Sequence, residues 1–304
     1  MPFLRSQRLL LLTISILAGC ASQRIVNPSF PITVKEAEAA IRKMRQNPRP
    51  LQRPVVVFGG RFDFGPSASY LAQQIKQGTG DERVDSSTFM FASGFDCARS
   101  SALKNVVEAF PEPGHPGKSM EIDAVGISMG GLIARAAAIP DAKGRHLRIK
   151  RLFTIATPHR GAKMANFPVP NGLVKDMRHG STFLKNLDTV LKSTEYPIYP
   201  YVRLDDMVVG PANASPLNQA PWWVEDAPFQ NGHISAHHDP RIIADILRHL
   251  RSEEPFSNQP ATPLPEVFRP GSANTSGKIN NQGIRSRSTA PHIDTRQTKS
   301  DQRG

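Results

Sequence analysis

One serine, Ser128, most constrains how this chain folds. It lies between an apolar run rich in β-formers and an alanine-rich run of helical character, within residues 121–138, EIDAVGISMGGLIARAAA. Glycines stand two positions before and two positions after it. A Gly-x-Ser-x-Gly motif between a strand and a helix is typical of a sharp, strained turn. Such a turn places the serine hydroxyl at the end of a sheet. The pattern predicts a nucleophilic serine; the alternative is a tight strand–helix turn in which the serine only caps the helix.

Strands and helices alternate around this turn. Apolar runs predict strands at 54–58, 84–91, 120–127, 149–156 and 198–204. Helical spacing of apolar residues predicts helices at 34–46, 67–77, 98–110, 130–139, 181–192 and 239–251. Continuous β-branched runs are typical of strands that are buried on both faces. The alternation therefore predicts an α/β fold, with a mostly parallel central sheet and helices on both faces.

Polar residues follow several of these strands, and active sites in such sheets form beyond the carboxyl ends of the strands. A serine nucleophile needs a histidine as base and a carboxylate that orients the histidine. His233 lies in a glycine-containing loop before the last helix, and Asp206 follows the 198–204 strand. We therefore predict Ser128, Asp206 and His233 as a catalytic triad.

Three alternatives to this assignment stay open in the sequence. Asp205 is an alternative acid, although strand geometry points it away from Asp206. Either carboxylate is also a candidate for an ion pair with Arg203. His237 and His238 lie close enough to His233 to be alternative bases.

A tetrahedral intermediate carries an oxyanion that needs two donors fixed in advance. The backbone N–H of Met129, directly after the nucleophile, is the predicted first donor. The second is expected from the loop after the 54–58 strand, at Gly60. Because both donors are main-chain groups, side-chain substitutions test these two assignments poorly.

The sequence resembles the lipase and esterase branch of the α/β-hydrolase superfamily in four segments, 125–135, 155–161, 206–209 and 232–234. The resemblance implies an α/β-hydrolase fold, cleavage of carboxylic esters or lipids through an acyl-enzyme, and no cofactor or metal. The order serine, aspartate, histidine along the chain agrees with that superfamily. An acyltransferase with the same triad and a catalytically inert, envelope-anchored interaction protein are the alternatives. Many lipases carry His-Gly where this chain has Phe58-Gly59, and His159 is expected to be structural, beneath the turn.

Residues 1–19 have the features of a targeting segment: a basic start, an apolar core and small residues ahead of Cys20. Leu17-Ala18-Gly19-Cys20 resembles a bacterial lipoprotein signal. The resemblance implies cleavage before Cys20, acylation of its thiol and an exported, lipid-anchored protein, with Ala21 favouring the outer membrane. An ordinary secretory peptide is the alternative. Cys97, the only other cysteine, is then without an intramolecular disulfide partner and is expected to be a core residue.

The composition of the chain predicts how its remaining segments are organised. Residues 20–33 are predicted to be a spacer, 34–251 the hydrolase domain and 252–304 a disordered tail poor in apolar residues. Within the domain, 162–197 is either a small cap or a crossover helix with a long loop. The net charge is +12, with a basic stretch at 141–190. This charge favours anionic substrates or lipid head groups, or it serves only solubility; no motif indicates nucleic-acid binding.

Overall fold

A computed structural model describes residues 25–63, 65–166, 172–225 and 231–269. The strands of the described residues are β1 (Val55–Phe58), β2 (Val84–Ser87), β3 (Ile122–Ile127), β4 (Ile149–Ile155), β5 (Ile198–Arg203) and β6 (Trp222–Val224). They form one sheet in the order β2-β1-β3-β4-β5-β6, and every neighbouring pair is parallel. The carboxyl ends of these strands therefore lie at one edge.

Helices cover both faces of the sheet. They are α1 (Val34–Gln46), α2 (Pro66–Thr79), α3 (Phe95–Ala109), α4 (Met129–Ala137), α5 (Gly172–Asp176), α6 (Thr182–Leu191), α7 (Gly232–Ser235) and α8 (Pro240–Leu250). One buried layer joins the sheet to α3, α4 and α6, and a second joins it to α1, α2 and α8. Adjacent β3 residues divide between the layers, Ala124 facing the first and Val125 the second. Among these helices none has both the length and the apolar character to cross a bilayer.

This topology, with Ser128 between β3 and α4, is an α/β-hydrolase fold, as the sequence predicts. The predicted helices and strands occur with small shifts at their ends. Strand β2 is shorter than expected, ending at Ser87 rather than near residue 91. The capping pattern before α1 is also present, because Thr33 and Glu36 accept each other's backbone N–H groups.

Strand β6 is absent from the sequence prediction. It spans three residues and follows a proline, so it offers no alternation of apolar and polar residues. Trp222 and Trp223 are both buried, on opposite sides of the sheet. The two tryptophans therefore belong to the core.

The two ends of the described chain pack on the domain, beyond the predicted limits of 34 and 251. Asn27 Nδ2 donates to the Trp223 carbonyl at 2.7 Å, and Trp223 Nε1 donates to the Thr262 carbonyl at 3.1 Å. Thr262 N donates to Ser29 Oγ at 2.7 Å. A few anchoring groups thus hold segments whose polar, proline-rich composition predicts a spacer and a disordered tail. Residues 1–24, with Cys20, and 270–304 lie outside the described residues.

Helix α6 is the crossover between β4 and β5. Its Leu184 and Leu187 are buried in the layer that also contains α3 and α4. A cap formed by 162–197 stays a prediction, and residues 167–171 of that range lie outside the described residues. Cys97 differs from expectation: it is exposed on α3, because the buried stripe of that helix passes through Ala98 and Ala102 instead.

Candidate active site

The turn between β3 and α4 holds Ser128 in a strained conformation. Its φ is 52° and its ψ is −123°, a combination that residues with side chains rarely adopt. A Cβ on Gly126 would lie 2.3 Å from the Gly131 Cα, and a Cβ on Gly130 would lie 2.1 Å from the Phe58 carbonyl oxygen. The glycines therefore permit the close contact of β1, β3 and α4 that places Ser128 at the sheet edge.

We expect Gly130→Ala to lower the free energy of unfolding by about 3 kcal/mol or more, the upper range for overpacking. The added methyl group meets main-chain atoms of β1, which cannot move aside as a flexible side chain does. Gly94→Ala is the matched control, since no atom of the described residues lies within 4 Å of its added Cβ, and its expected cost is about 1 kcal/mol or less. Denaturant unfolding measures both, and equal losses would contradict this account of the turn.

Three side chains meet at the carboxyl edge. His233 Nε2 lies 3.1 Å from Ser128 Oγ, and His233 Nδ1 lies 2.9 Å from Asp206 Oδ2. A carboxylate only accepts, so Nδ1–H donates to Asp206 and Nε2 is left to accept the Ser128 hydroxyl proton. Asp206 is fully buried, and its Oδ1 accepts the N–H groups of Val208 and Val209 at 2.9 Å each. The structure brings together the three residues that the sequence selects.

The neighbouring carboxylate has a different partner. Asp205 forms a two-pronged ion pair with Arg203, with Nε–Oδ1 at 3.1 Å and Nη2–Oδ2 at 3.2 Å. Asp206, rather than Asp205, is therefore the residue paired with His233. This is the ion pair that the sequence offered as an alternative role for either aspartate.

The other two histidines of this segment have different surroundings. His237 is buried, and within the described residues neither ring nitrogen has a hydrogen-bond partner. Its ring lies 4.1 Å from that of His238, which in turn lies 4.2 Å from the Tyr70 ring. Burial and the neighbouring His238 lower the pKa of His237 to about 4. Of the three histidines, His233 is the one hydrogen-bonded to Ser128.

The buried His237 predicts that acid destabilises the fold. Its pKa is about 4 in the folded protein against an ordinary value of 6.5. Between these values the unfolded chain binds the proton more readily, so the free energy of unfolding falls as pH decreases from 6.5 to 4. The shift corresponds to about 3 kcal/mol. His237→Gln should lose correspondingly less stability over that range in denaturant unfolding, and parallel curves for the two proteins would refute the assignment.

The two residues whose main-chain amides are the predicted oxyanion donors, Met129 and Gly60, both lie beside Ser128. Met129 is the first residue of α4, where helix geometry leaves the N–H without an intrahelical acceptor. Gly60 lies across from the nucleophile: a Cβ on it would be 3.2 Å from Ser128 Cβ and 3.8 Å from Ser128 Oγ. In the described part of the chain neither amide donates to a protein acceptor. Both predicted donors are thus available next to the hydroxyl.

Buried polar side chains stabilise the turn that carries Ser128. Thr157 Oγ1 donates to the Ser128 carbonyl at 2.8 Å. His159 is fully buried, with Nδ1 3.1 Å from Arg135 Nη1 and Nε2 3.0 Å from Thr154 Oγ1. Burial and the Arg135 charge hold the pKa of His159 well below its ordinary value, so the ring is neutral and its Nδ1 accepts from Arg135. His159 is therefore structural, as expected from the sequence.

Two residues that brace the site were not singled out in the sequence. The Asp63 carboxylate accepts three backbone N–H groups at the start of α2 and so fixes the loop that carries Gly60. Asn231 Oδ1 accepts the N–H groups of His233 and the following residue, at 3.1 and 3.3 Å. Aspartate or asparagine just before a helix is a capping signal that could have identified both. No group of three or more His, Cys, Asp or Glu in the described ranges is arranged to hold a metal ion.

The chain matches no protein-family model and no curated protein. Among solved structures it is similar to phospholipase PlaB from Legionella pneumophila, with 13% identity, a TM-score of 0.46 and coverage of 66% of this chain. It spans 59% of that PlaB chain and 44% of the chain in a second PlaB structure, so less than two thirds of both.

Two further structures are similar at the same level. A putative cell surface hydrolase from Lactobacillus plantarum WCFS1 shares 14% identity with a TM-score of 0.39, over 68% of this chain and 93% of that one. The thermostable carboxylesterase EstE1, cloned from a metagenomic library, shares 15% identity with a TM-score of 0.37, over 68% and 82%.

Proposed function

We propose that this protein is a serine hydrolase that cleaves carboxylic esters through an acyl-enzyme. The observation that supports this proposal is the unbroken hydrogen-bonded line from Asp206 through His233 to Ser128. Ser128, at the end of this line, lies on a strained turn beside two amides that donate to no acceptor among the described residues. A serine hydroxyl becomes a nucleophile where a neighbouring imidazole accepts its proton and a carboxylate orients that imidazole.

The reaction proceeds in two halves. His233 Nε2 takes the proton of Ser128 as Oγ bonds to the ester carbonyl carbon, and Asp206 stabilises the resulting imidazolium. The N–H groups of Gly60 and Met129 bind the oxyanion. Collapse of the intermediate expels the alcohol, which takes the proton from His233. A water molecule, deprotonated by His233, then attacks the acyl carbon. Collapse of this second intermediate breaks the bond to Ser128 Oγ, which takes the proton back from His233 as the carboxylic acid leaves.

Three exposed apolar residues lie close to the site residues in sequence and favour an ester with apolar groups. Phe62, Met207 and Ile234 are 68%, 71% and 62% exposed, and each lies within two residues of Gly60, Asp206 or His233. Large apolar groups held in water next to a reacting centre are typical of ligand-binding surfaces. Ser128 is itself partly exposed, so water reaches the acyl-enzyme, which favours hydrolysis over acyl transfer.

The test is covalent labelling of the purified protein with a fluorophosphonate probe, followed by mass spectrometry of its peptides. Probe mass on Ser128, together with turnover of p-nitrophenyl acetate, is the expected result. A protein that neither takes up the probe nor turns over short-chain esters would fit the inert, interaction-protein alternative. Products formed with an added alcohol separate the two enzymatic readings, because an acyltransferase would yield mainly the new ester.

We also propose that the protein is exported and anchored to the bacterial envelope through an acylated Cys20. The support is the Leu17-Ala18-Gly19-Cys20 sequence after a basic and apolar segment. Several acyl chains bind a membrane firmly, at about 0.8 kcal/mol per buried methylene. In bacteria fed a clickable palmitate analogue, the protein should become labelled and Cys20→Ser should not; equal labelling would argue against this anchor.

A further inference from the structure

A buried ionic cluster lies directly behind the proposed triad. Arg203, the last residue of β5, has a side chain that is only 3% exposed, and its guanidinium binds two carboxylates from different segments. Nε and Nη2 donate to Asp205, and Nη1 donates to Asp239 Oδ2 at 3.2 Å. One side chain therefore connects the segment before Asp206 to the segment after His233.

The Asp205 carboxylate contacts both of those segments. It belongs to the residue immediately before Asp206 in the chain. A Cβ on Gly232 would lie 2.2 Å from Asp205 Oδ1, so this carboxylate packs against the backbone that leads into His233. The Arg203–Asp205 pair thus fills the space between the backbone of the acid and the backbone of the base.

The Asp239 carboxylate is held equally firmly. It caps α8 and accepts from Arg241 through the backbone N at 3.0 Å, Nε at 2.9 Å and Nη2 at 2.8 Å. Arg241 also binds Glu225, at the end of β6. Asp239, Arg241 and Arg203 have side chains that are 3% exposed or less. The segment that follows His233 is therefore fixed to the ends of β5 and β6.

We propose that Arg203 is a positioning residue that sets the Asp206–His233–Ser128 geometry by joining these two segments. This inference rests on the proposed function, because it concerns the same three side chains. A guanidinium is a rigid fork that binds a carboxylate with two parallel bonds, whereas a lysine ammonium is a point charge on a flexible stem. A displacement of about 1 Å in a reacting group costs on the order of 10²-fold in rate.

Arg203→Lys tests the proposal, with Arg251→Lys as the matched control. Arg251 is equally buried, at 3% side-chain exposure, and donates to the Gly78 and Asn47 carbonyls and to Glu253. Because Gly78 lies near the end of α2, shortly before β2 begins, Arg251 is at the opposite edge of the sheet from Ser128. Both substitutions keep the charge and remove the fork, so a purely structural effect should appear in both.

The expected result is a kcat for p-nitrophenyl acetate that falls about 10- to 100-fold in Arg203→Lys with KM within about twofold. In Arg251→Lys kcat should change less than about threefold at a similar loss of Tm. The pH profile of kcat/KM should also change in the first variant only, since only that variant disturbs the hydrogen bond between His233 and Asp206. Equal kcat losses in the two variants would overturn the proposal.

A second readout does not depend on turnover. The His233 Nδ1 proton, shared with Asp206 at 2.9 Å, should give a downfield proton NMR signal that is weakened in Arg203→Lys and retained in Arg251→Lys. An unchanged signal in Arg203→Lys would count against the positioning role, even if the unmodified protein took up no probe and the proposed function failed. If Arg203→Lys does not fold, Asp205→Asn is measured in its place, since it leaves Arg203 one acceptor oxygen and weakens the same connection.

Discussion

Ser128→Ala lowers kcat for a short-chain ester by about 10⁶-fold, the scale on which a triad nucleophile acts. The substitution removes the only atom that bonds to the acyl group in the proposed mechanism. Some acceleration over water should persist, about 10³-fold, from the Gly60 and Met129 amides and from binding. Alanine retains the backbone strain at this position without adding bulk, so the fold should be unaffected.

The measurement is steady-state turnover of p-nitrophenyl acetate alongside fluorophosphonate labelling, with circular dichroism as a check on folding. Ser100→Ala is a suitable control, because Ser100 is exposed on α3 and its hydroxyl donates to a backbone carbonyl one turn earlier. We expect that variant to behave like the unmodified protein. Undiminished labelling or turnover in Ser128→Ala would remove the basis of the proposed function.

Asp206→Asn has the second largest expected effect, a loss of about 10⁴-fold in kcat. The asparagine amide can donate to His233 Nδ1, which favours the tautomer with the proton on Nε2. That ring nitrogen then no longer accepts the Ser128 proton. The new side chain is nearly isosteric and its oxygen can still accept the N–H groups of Val208 and Val209, so the loss is in chemistry rather than in folding.

Asp205→Asn is the matched control for that variant. It makes the same chemical change one residue away, on the carboxylate that binds Arg203 instead of His233. We expect a loss of about 10-fold, through position rather than proton transfer. If the two variants lost activity equally, or if Asp205→Asn lost more, the acid would have been assigned to the wrong aspartate.

Much of the fold could be predicted because its signals are local. Runs such as Val55–Phe58 and Ile149–Ile155 are long enough to identify buried strands. Strand β6 could not be found in this way, since three residues show no period and its stability comes from pairing with β5. The packing of the end segments 25–33 and 252–269 could not be predicted for a related reason, because contacts distant in sequence hold them.

The meeting of Ser128, Asp206 and His233 could be predicted because each of them carries a chemical signature at a strand end or in a glycine loop. The choice of Asp206 over Asp205 followed from the alternation of side chains along a strand. The sequence offered Arg203 as an ion-pair partner of a neighbouring aspartate, but its burial and its bond to Asp239 could not be predicted, because a charged residue in a sequence looks like a surface residue until its partners are known. Burial of both depends on the meeting of β5, β6 and α8, which no short window contains.

The contacts at β6 have a consequence for any attempt to make a smaller version of this protein. Asn27 covers an outward-facing carbonyl of the last strand in the described sheet, and Ser29 and Thr262 tie the two chain ends together there. A strand edge without such cover is a template for pairing with another molecule. A protein trimmed to 34–251 would keep Ser128, Asp206 and His233, yet it would lose solubility through edge-to-edge self-association.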